Sequence, residues 1–595
     1  MGLWERTRRE ARYLRGLLRT LGRVRSIASN STNLVCDDWE KAVDAHAPRA
    51  AISFEGRTLS YAEYDALANR FAHWALAQGL KPGDTVALFL PNRLEYIAAW
   101  MGLTKVGVVG ALVNNHLAGQ ALCHCVEIAH AAHVIADAET APALEAVRDR
   151  LSAKPSLWTL DGGGSGRLDL EQALAEAPAT RPDAAIRAGI TAGETALYIY
   201  TSGTTGLPKA AKVAHIRAQT YMRAFAGATR ATPEDRVFVV LPLYHSTGGL
   251  CGVGAALMAG GMVVLRRRFS ASSFWGDVNT EGATLFVYIG ELCRYLVNQP
   301  EAPGERTHRL RMAFGNGLRP EVWERFESRF AIPDILEFYG ATEGNVSILN
   351  FDGKPGSVGR VAPCVRSRFN ARLVKLDLET GEPIRGADGF CVACAPGEVG
   401  ECVGQITNKA RTQFAGYADP AASAKKLLRD AFAPGDAWFR TGDLMRQDAD
   451  GYFYFVDRLG DTFRWKGENV STSEVAEVLA AAPGVKEVNV YGVAVPGSEG
   501  RAGMAALVTG PGFDLQTLAR HVDRELPAYA RPTFVRLQPE IETTGTFKYT
   551  KTELVADGFD PAKVGEPLFL RDPTDGYVPL DAALHARLTS GELRL

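Results

Sequence analysis

The stretch "YTSGTTGLPK" holds Thr201, Ser202, Gly203, Thr204, Thr205 and Gly206 in one unbroken run of glycine and hydroxyl residues, with Lys209 close behind. Glycines let a backbone approach a ligand closely, and successive N–H groups in such a turn form an anion-binding nest. The hydroxyls add donors and the lysine adds a mobile positive charge, so the run reads as a phosphate cradle delivered by the apolar lead-in "TALYIY". It is not a Walker A loop. Pro208 stands where that motif needs glycine, and Ala210 stands where it needs the hydroxyl that holds magnesium. On composition alone the run also fits a flexible polar linker.

The string as a whole resembles the signature of the adenylate-forming superfamily, which contains acyl-CoA synthetases, luciferases and peptide-synthetase adenylation domains. That resemblance implies partners elsewhere in the chain. "EFYGATEGN" is similar to the family's second signature; there Tyr339 would lie against the adenine, Gly340 and Ala341 would join the nucleotide site, Thr342 would meet the α-phosphate and Glu343 would bind magnesium. Magnesium is typically held by one or two carboxylates plus substrate phosphates and waters. "FGNGL", with Gly315, Asn316 and Gly317, sits where relatives form the adenine pocket, and "FRTGDL" puts Asp443 where they bind the ribose. "VDRLGD" adds Arg458 for ribose or phosphate and Gly460 at the pivot, where glycine tolerates large backbone changes. "TTGTFKYTKTEL" resembles the segment with the catalytic lysine. Counting back five residues from Glu553 selects Lys548 over Lys551. A cation there would draw the acid carboxylate onto the α-phosphorus by charge stabilisation and positioning. In a second pose, Lys466 and Gly467 of "FRWKGENVS" would face a thiol channel, and Tyr244 and His245 of "LPLYHSTGG" would wall an acyl tunnel.

Short β-rich runs alternating with helical patterns must position these residues, which predicts an α/β fold built on a mostly parallel sheet. Gly, Pro and short strands dominate from about residue 358 to 455 and suggest a small β-rich subdomain. A compact α+β segment comes after it. The expected organisation is a basic helix over 1–30, a large adenylate-forming domain over 31–459, and a mobile C-terminal domain over 460–595.

Composition bounds the rest. With 46% hydrophobic and 23% charged residues the chain is ordinary globular protein, and its net charge of −2 argues against a nucleic-acid binder. Nine scattered cysteines fit a reducing compartment. The "CVAC" pair Cys391 and Cys394 lacks a second pair for zinc, so it reads, like Cys123 and Cys125, as small apolar filling. The first 26 residues differ: eight Arg and two Glu give +6, against −8 for the remainder. Leu14, Leu17, Leu18 and Leu21 follow helical spacing, while Arg8, Arg12, Arg15, Arg19 and Arg23 fall on another face. This predicts a basic amphipathic helix that either adheres to an anionic membrane or docks on the body. No secretory signal or transmembrane helix is read, which points to a cytoplasmic protein with peripheral attachment.

Longer strings, "EFYGATEGNVSILNFD", "DRLGDTFRWKGENVSTSEV" and the tail from "PLFLRDPTDGYVPL", look like the fatty acid transport protein or very-long-chain acyl-CoA synthetase family. The resemblance implies ATP, magnesium and coenzyme A as cofactors. It also implies a fatty acid activated through acyl-AMP, with uptake by trapping. Open alternatives are a fatty acyl-AMP ligase, a CoA ligase for bile-acid- or carnitine-like acids, and a membrane-associated carrier with a vestigial ATP site.

Overall fold

The structure is a computed structural model describing residues 3–595 except 165, 202–206, 378–379, 410–411, 467, 497, 499, 543–548 and 594. The chain divides into two compact units. The first comprises Met1–Asn370, Gly404–Arg429 and Gly435–Phe439; the second comprises Ala371–Val403, Asp430–Pro434 and Arg440–Leu595. The β-rich stretch is therefore shared out. Much of it packs with the C-terminal segment, so compactness draws its line well before residue 460.

Two sheets form the first unit. An eight-stranded sheet runs Ser347–Leu349, Ile335–Gly340, Met312–Asn316, Leu285–Ile289, Arg236–Val239, Met262–Leu265, Ala50–Phe54, Arg57–Ser60, parallel throughout except at its two edges. A seven-stranded sheet ends in Val109–Leu112, then Thr195–Thr201, then Lys209–Ala214. We label four of these strands: β1 (Thr195–Thr201), β2 (Lys209–Ala214), β3 (Met312–Asn316) and β4 (Ile335–Gly340). Runs such as "MAFG" and "ILEF" are mostly apolar because parallel strands are covered from both sides, and both runs are buried, Glu337 included. Consecutive parallel strands end at the same sheet edge, which is where α/β folds place their ligands.

In the second unit β5 (Ala437–Gln447), which starts in the first unit, pairs antiparallel with β6 (Tyr452–Arg458) and sets Asp443 opposite Arg458. The short hairpin β7 (Phe463–Trp465) and β8 (Glu468–Val470) turns at Lys466, whose φ of +52° is the left-handed value a two-residue hairpin turn needs. A five-stranded sheet runs Val485–Ala494, Arg501–Thr509, Phe534–Leu537, Leu568–Asp572, Gly576–Pro579. Its core gathers Leu479, Leu507, Val522 and Phe534. The helix at Thr472–Ala480 starts on Ser471, whose hydroxyl accepts from Glu474 N, and that at Leu515–Glu525 starts on Asp514, which accepts from Thr517 N. The α/β expectation, with a large N-terminal and a smaller C-terminal part, is borne out.

Helix α1 (Leu3–Val24) forms as expected, and it packs on α2 (His215–Ala228). Its leucines are divided, since Leu17 and Leu21 are half-buried. Tyr13, Gly16, Thr20 and Val24 are buried, whereas Leu14 and Leu18 are exposed. Glycine permits the close approach: a Cβ at Gly16 would lie 2.4 Å from the Phe351 ring, and one at Gly227 would lie 3.1 Å from the Arg19 carbonyl. Glu10 then pairs with Arg360 at 2.7 Å, and the Arg360 guanidinium stands 5.4 Å over the Tyr13 ring. Among the described residues, no helix is long and apolar enough to cross a membrane. Cys123, Cys125 and Cys391 are buried, and burial pushes the Cys394 thiol up to about 11.

Candidate active site

Strands β1 and β2 form an antiparallel hairpin whose register ends at Thr201 opposite Lys209. The glycine-rich run joins these two residues. Its members Ser202, Gly203, Thr204, Thr205 and Gly206 lie outside the described residues, as do Gly467 and Lys548. The segment 416–418 lies along the free edge of β2: Lys212 N donates to Gly416 O at 2.9 Å, Ala418 N donates to Ala210 O at 2.8 Å, and Ala211 bridges Tyr417.

That pairing aims Tyr417 at the second signature. Its hydroxyl donates to Glu343 Oε1 at 2.7 Å, and Lys209 Nζ lies 5.9 Å from its ring centroid. Burial, then the Glu343 charge, pushes the Tyr417 hydroxyl well above its usual range, while a hydrogen bond with Thr201 opposes the rise. The tyrosine stays protonated and donates. One ring thus ties both ends of the cradle, Thr201 and Lys209, to Glu343. A hydrogen bond to a charged group contributes about 1.5–3 kcal/mol. The sequence reading missed Tyr417, because an aromatic in "FAGYADP" carries no spacing or charge signal.

The loop after β4 is held from several sides. Tyr221 of α2 donates to Ala341 O at 3.0 Å, and Arg217, also of α2, donates to Gly344 O. Asn345 donates to Gln405 O at 2.8 Å and Thr412 O at 2.9 Å. Between them stand Thr342 and Glu343, both half-buried. Ser246 Oγ lies 3.1 Å from Thr342 Oγ1, and the neighbouring Thr247 donates to Asn316 Oδ1 at 3.3 Å. Two adjacent residues, neither anticipated from sequence, therefore join the 315–317 segment to the 341–343 segment. Tyr244 is buried with a hydroxyl that finds no partner among the described residues, and its ring lies 4.5 Å from that of His245.

The 315–317 turn is tight. A Cβ on Gly315 would lie 2.1 Å from the Tyr288 carbonyl, and Gly317 has φ +80°, so both positions require glycine. Beneath them, buried Glu337 accepts from Tyr288 Oη at 2.5 Å and from Leu318 N at 3.1 Å. Burial pushes this carboxyl up to about 8, against the opposing pull of its hydrogen bonds. It is neutral at neutral pH and pins the turn without adding charge. Tyr339 and Gly340 close β4, with Tyr339 half-buried and Gly340 exposed.

The second unit holds its own constellation. Arg458 Nε lies 3.5 Å from Asp443 Oδ1 across β5 and β6, and Asp443 is buried. Gly460 lies in the turn where Asp461 N and Thr462 N both bond back to Arg458 O. The buried carboxylate of Asp457 accepts from Thr472 N at 2.7 Å and so braces the first turn of the helix at Thr472–Ala480. Lys551 donates to Thr472 Oγ1 at 3.0 Å and lies 3.4 Å from Asp461, so it is engaged next to that turn. Lys466 is exposed.

The chemistry that this can do is polar and electrostatic. Glu343 has one oxygen held by Tyr417 and makes no other bond among the described residues. That donor set fits a magnesium ion, which takes one or two carboxylates and otherwise waters and substrate phosphates. The family description "AMP-binding enzyme" matches residues 39–417, and "AMP-binding enzyme C-terminal domain" matches residues 474–548. Long-chain fatty acid transport protein 1 of Mus musculus is 44% identical over 549 residues, 90% of this chain and 84% of that one. The crystal structure of an anthranilate CoA ligase with anthranoyl-AMP superposes with a TM-score of 0.74 at 21% identity, covering 88% of this chain and 96% of the other. A Mycobacterium tuberculosis fatty acyl CoA synthetase superposes with a TM-score of 0.62 at 24% identity, covering 89% and 98%.

Proposed function

The chain belongs to the AMP-binding enzyme family, in its long-chain fatty acid transport protein branch, and on that premise we propose that it ligates long- or very-long-chain fatty acids to coenzyme A through an acyl-AMP intermediate. The observation that supports this most is the Tyr417–Glu343 hydrogen bond, which fastens the signature carboxylate to the base of the phosphate cradle.

The family's motifs suggest the roles. The cradle at 201–206 with Lys209 holds the β- and γ-phosphates, and Thr342 meets the α-phosphate. Gly315, Asn316, Gly317, Tyr339, Gly340 and Ala341 take the adenine, and Asp443 with Arg458 takes the ribose. Glu343 would hold magnesium, which when bound neutralises phosphate charge and orients the departing pyrophosphate. Lys548 brings the two anions together. The fatty carboxylate oxygen attacks the α-phosphorus, the bond to the bridging oxygen breaks, and pyrophosphate leaves. The coenzyme A thiolate then attacks the acyl carbon and AMP leaves. Activation is needed because a free carboxylate is a poor electrophile. No protein nucleophile is needed, and His245 with Tyr244 serves as tunnel wall.

The second half-reaction uses the pivot at Gly460, with 460–595 as the moving part, and Lys466 with Gly467 at the thiol channel. The protein works on the cytoplasmic side of a membrane, attached through α1, and thioester formation traps the acid after entry.

The test is release of pyrophosphate and AMP across acids from medium to very long chain. Without coenzyme A we expect pyrophosphate and bound acyl-AMP; with it, stoichiometric AMP and thioester. A product that stays acyl-AMP after coenzyme A is added identifies an acyl-AMP ligase. No pyrophosphate with any acid refutes adenylation.

A further inference from the structure

A second phosphate-ready region lies far from these residues in sequence. Between α1 and the edge of the eight-stranded sheet runs a cleft of about 760 Å³. Arg8, Arg12, Arg15 and Arg19 line it from the helix and Arg230 lines it from beyond α2, over a floor that includes Phe351 and Leu336. One carboxylate, Asp334, faces two of them: it pairs with Arg12 at 2.8 Å and with Arg230. The other cleft carboxylate, Asp352, lies 3.5 Å from Arg360. Arg8 lies over the Trp4 ring, and Arg15 and Arg19 have no carboxylate partner among the described residues. Burial, then repulsion from Arg230 and Arg15, lowers the Arg19 pKa. Positive charge in the cleft therefore exceeds the carboxylates that face it, and an anion relieves the excess.

The same helix leaves a second apolar stripe uncovered. Trp4 is 72%, Leu18 66% and Leu14 41% exposed. At 100° per residue these three project beside the arginine row, away from the Tyr13–Thr20–Val24 docking face. A soluble polyanion would need only the arginines. An interface of charged heads over an apolar interior uses both rows, in the arrangement of an interfacial amphipathic helix. We propose that the cleft receives the phosphate headgroup of an anionic phospholipid, while Trp4, Leu14 and Leu18 enter the acyl boundary of that lipid's bilayer. This rests on the reading of α1 as the membrane-facing element and is independent of the ligase chemistry.

The test is co-sedimentation of the full chain, without ATP or coenzyme A, on phosphatidylcholine vesicles with and without about 30 mol% phosphatidic acid or phosphatidylserine. Binding is expected only with the anionic lipids and is expected to weaken as salt rises. The double variant Arg15→Glu/Arg19→Glu should lose at least about tenfold in partition, Arg15→Lys/Arg19→Lys should retain most of it, and Leu18→Ser should weaken it at every salt concentration. Adenylation of a soluble medium-chain acid should be unchanged in all of them. Three results overturn the proposal: equal binding to neutral vesicles, no effect of the glutamates, or inositol hexakisphosphate protecting against heat while no vesicle binds. Should the glutamate variant fail to fold, the salt series on the unaltered chain and Leu18→Ser decide.

Discussion

Around Glu343 the polar groups are held by neighbours: Tyr417 bonds the carboxylate, Ser246 touches Thr342, Thr247 reaches Asn316, and Arg217 and Tyr221 grip the backbone on either side. Along α1 the opposite holds, since Arg19 stands near both Arg230 and Arg15, and neither Arg15 nor Arg19 has a carboxylate of its own among the described residues. Both regions suit phosphate. The first is preorganised, so that little rearrangement is needed when charge develops, which is what catalysis requires. The second supplies bulk positive charge on flexible side chains, which suits attachment to a variable surface and is screened by salt. Under the two proposals, order around the charge, more than its sign, separates the reacting site from the landing site.

That contrast can be broken in several places. Lys548→Ala should remove acyl-AMP formation by at least about a thousandfold while sparing thioester formation from supplied acyl-AMP. Equal loss of both half-reactions would remove Lys548 from its role. Asp443→Ala should raise KM for ATP by about ten- to a hundredfold, as expected for lost hydrogen bonds to a charged group, with a smaller effect on kcat. A change confined to kcat contradicts ribose binding. Lys209→Ala should cost roughly tenfold in adenylation, because the cradle's backbone donors remain; a dead enzyme would show that this lysine is itself essential. The smallest effect concerns support beneath the turn at Gly317. Glu337 has its carboxyl raised to about 8 in the fold, so its stabilising contribution is complete below the unfolded value near 4.5 and is lost as pH rises from there through about 8. Melting curves of Glu337→Gln and the unaltered chain should diverge in favour of the glutamine as pH climbs across that window. Parallel curves would mean that Glu337 is not neutral in the fold.

Much of this was legible in the sequence because long motifs mark backbone shapes that only particular residues allow. Gly315 and Gly317 sit where a side chain would collide or strain, and β5 pairs with β6 so that "TGD" and "VDR" meet as Asp443 and Arg458. The parallel strands were readable from alternation of apolar runs with helical ones. What escaped were contacts made by tertiary pairing alone. Tyr417 reaches Glu343 because 416–418 happens to add along β2, and Ser246 and Thr247 touch their partners through a turn after Arg236–Val239. Periodicity also left open which face of α1 docks. It counted leucines, whereas the docking side is set by the small Gly16 and the long Tyr13, which fit against Phe351. A leucine count could not see that the four leucines divide, with Leu17 and Leu21 half-buried and Leu14 and Leu18 exposed.

In the proposed ligation, Tyr417 holds Glu343 against the base of the cradle and orders the adenylating corner alone. Single-turnover rates of the two half-reactions in Tyr417→Phe test it most directly. Acyl-AMP formation should slow by about tenfold, the worth of one hydrogen bond to a carboxylate, with a raised magnesium requirement and thioester formation from supplied acyl-AMP unchanged. Unaltered adenylation at every magnesium concentration, or the same loss in both half-reactions, would contradict it.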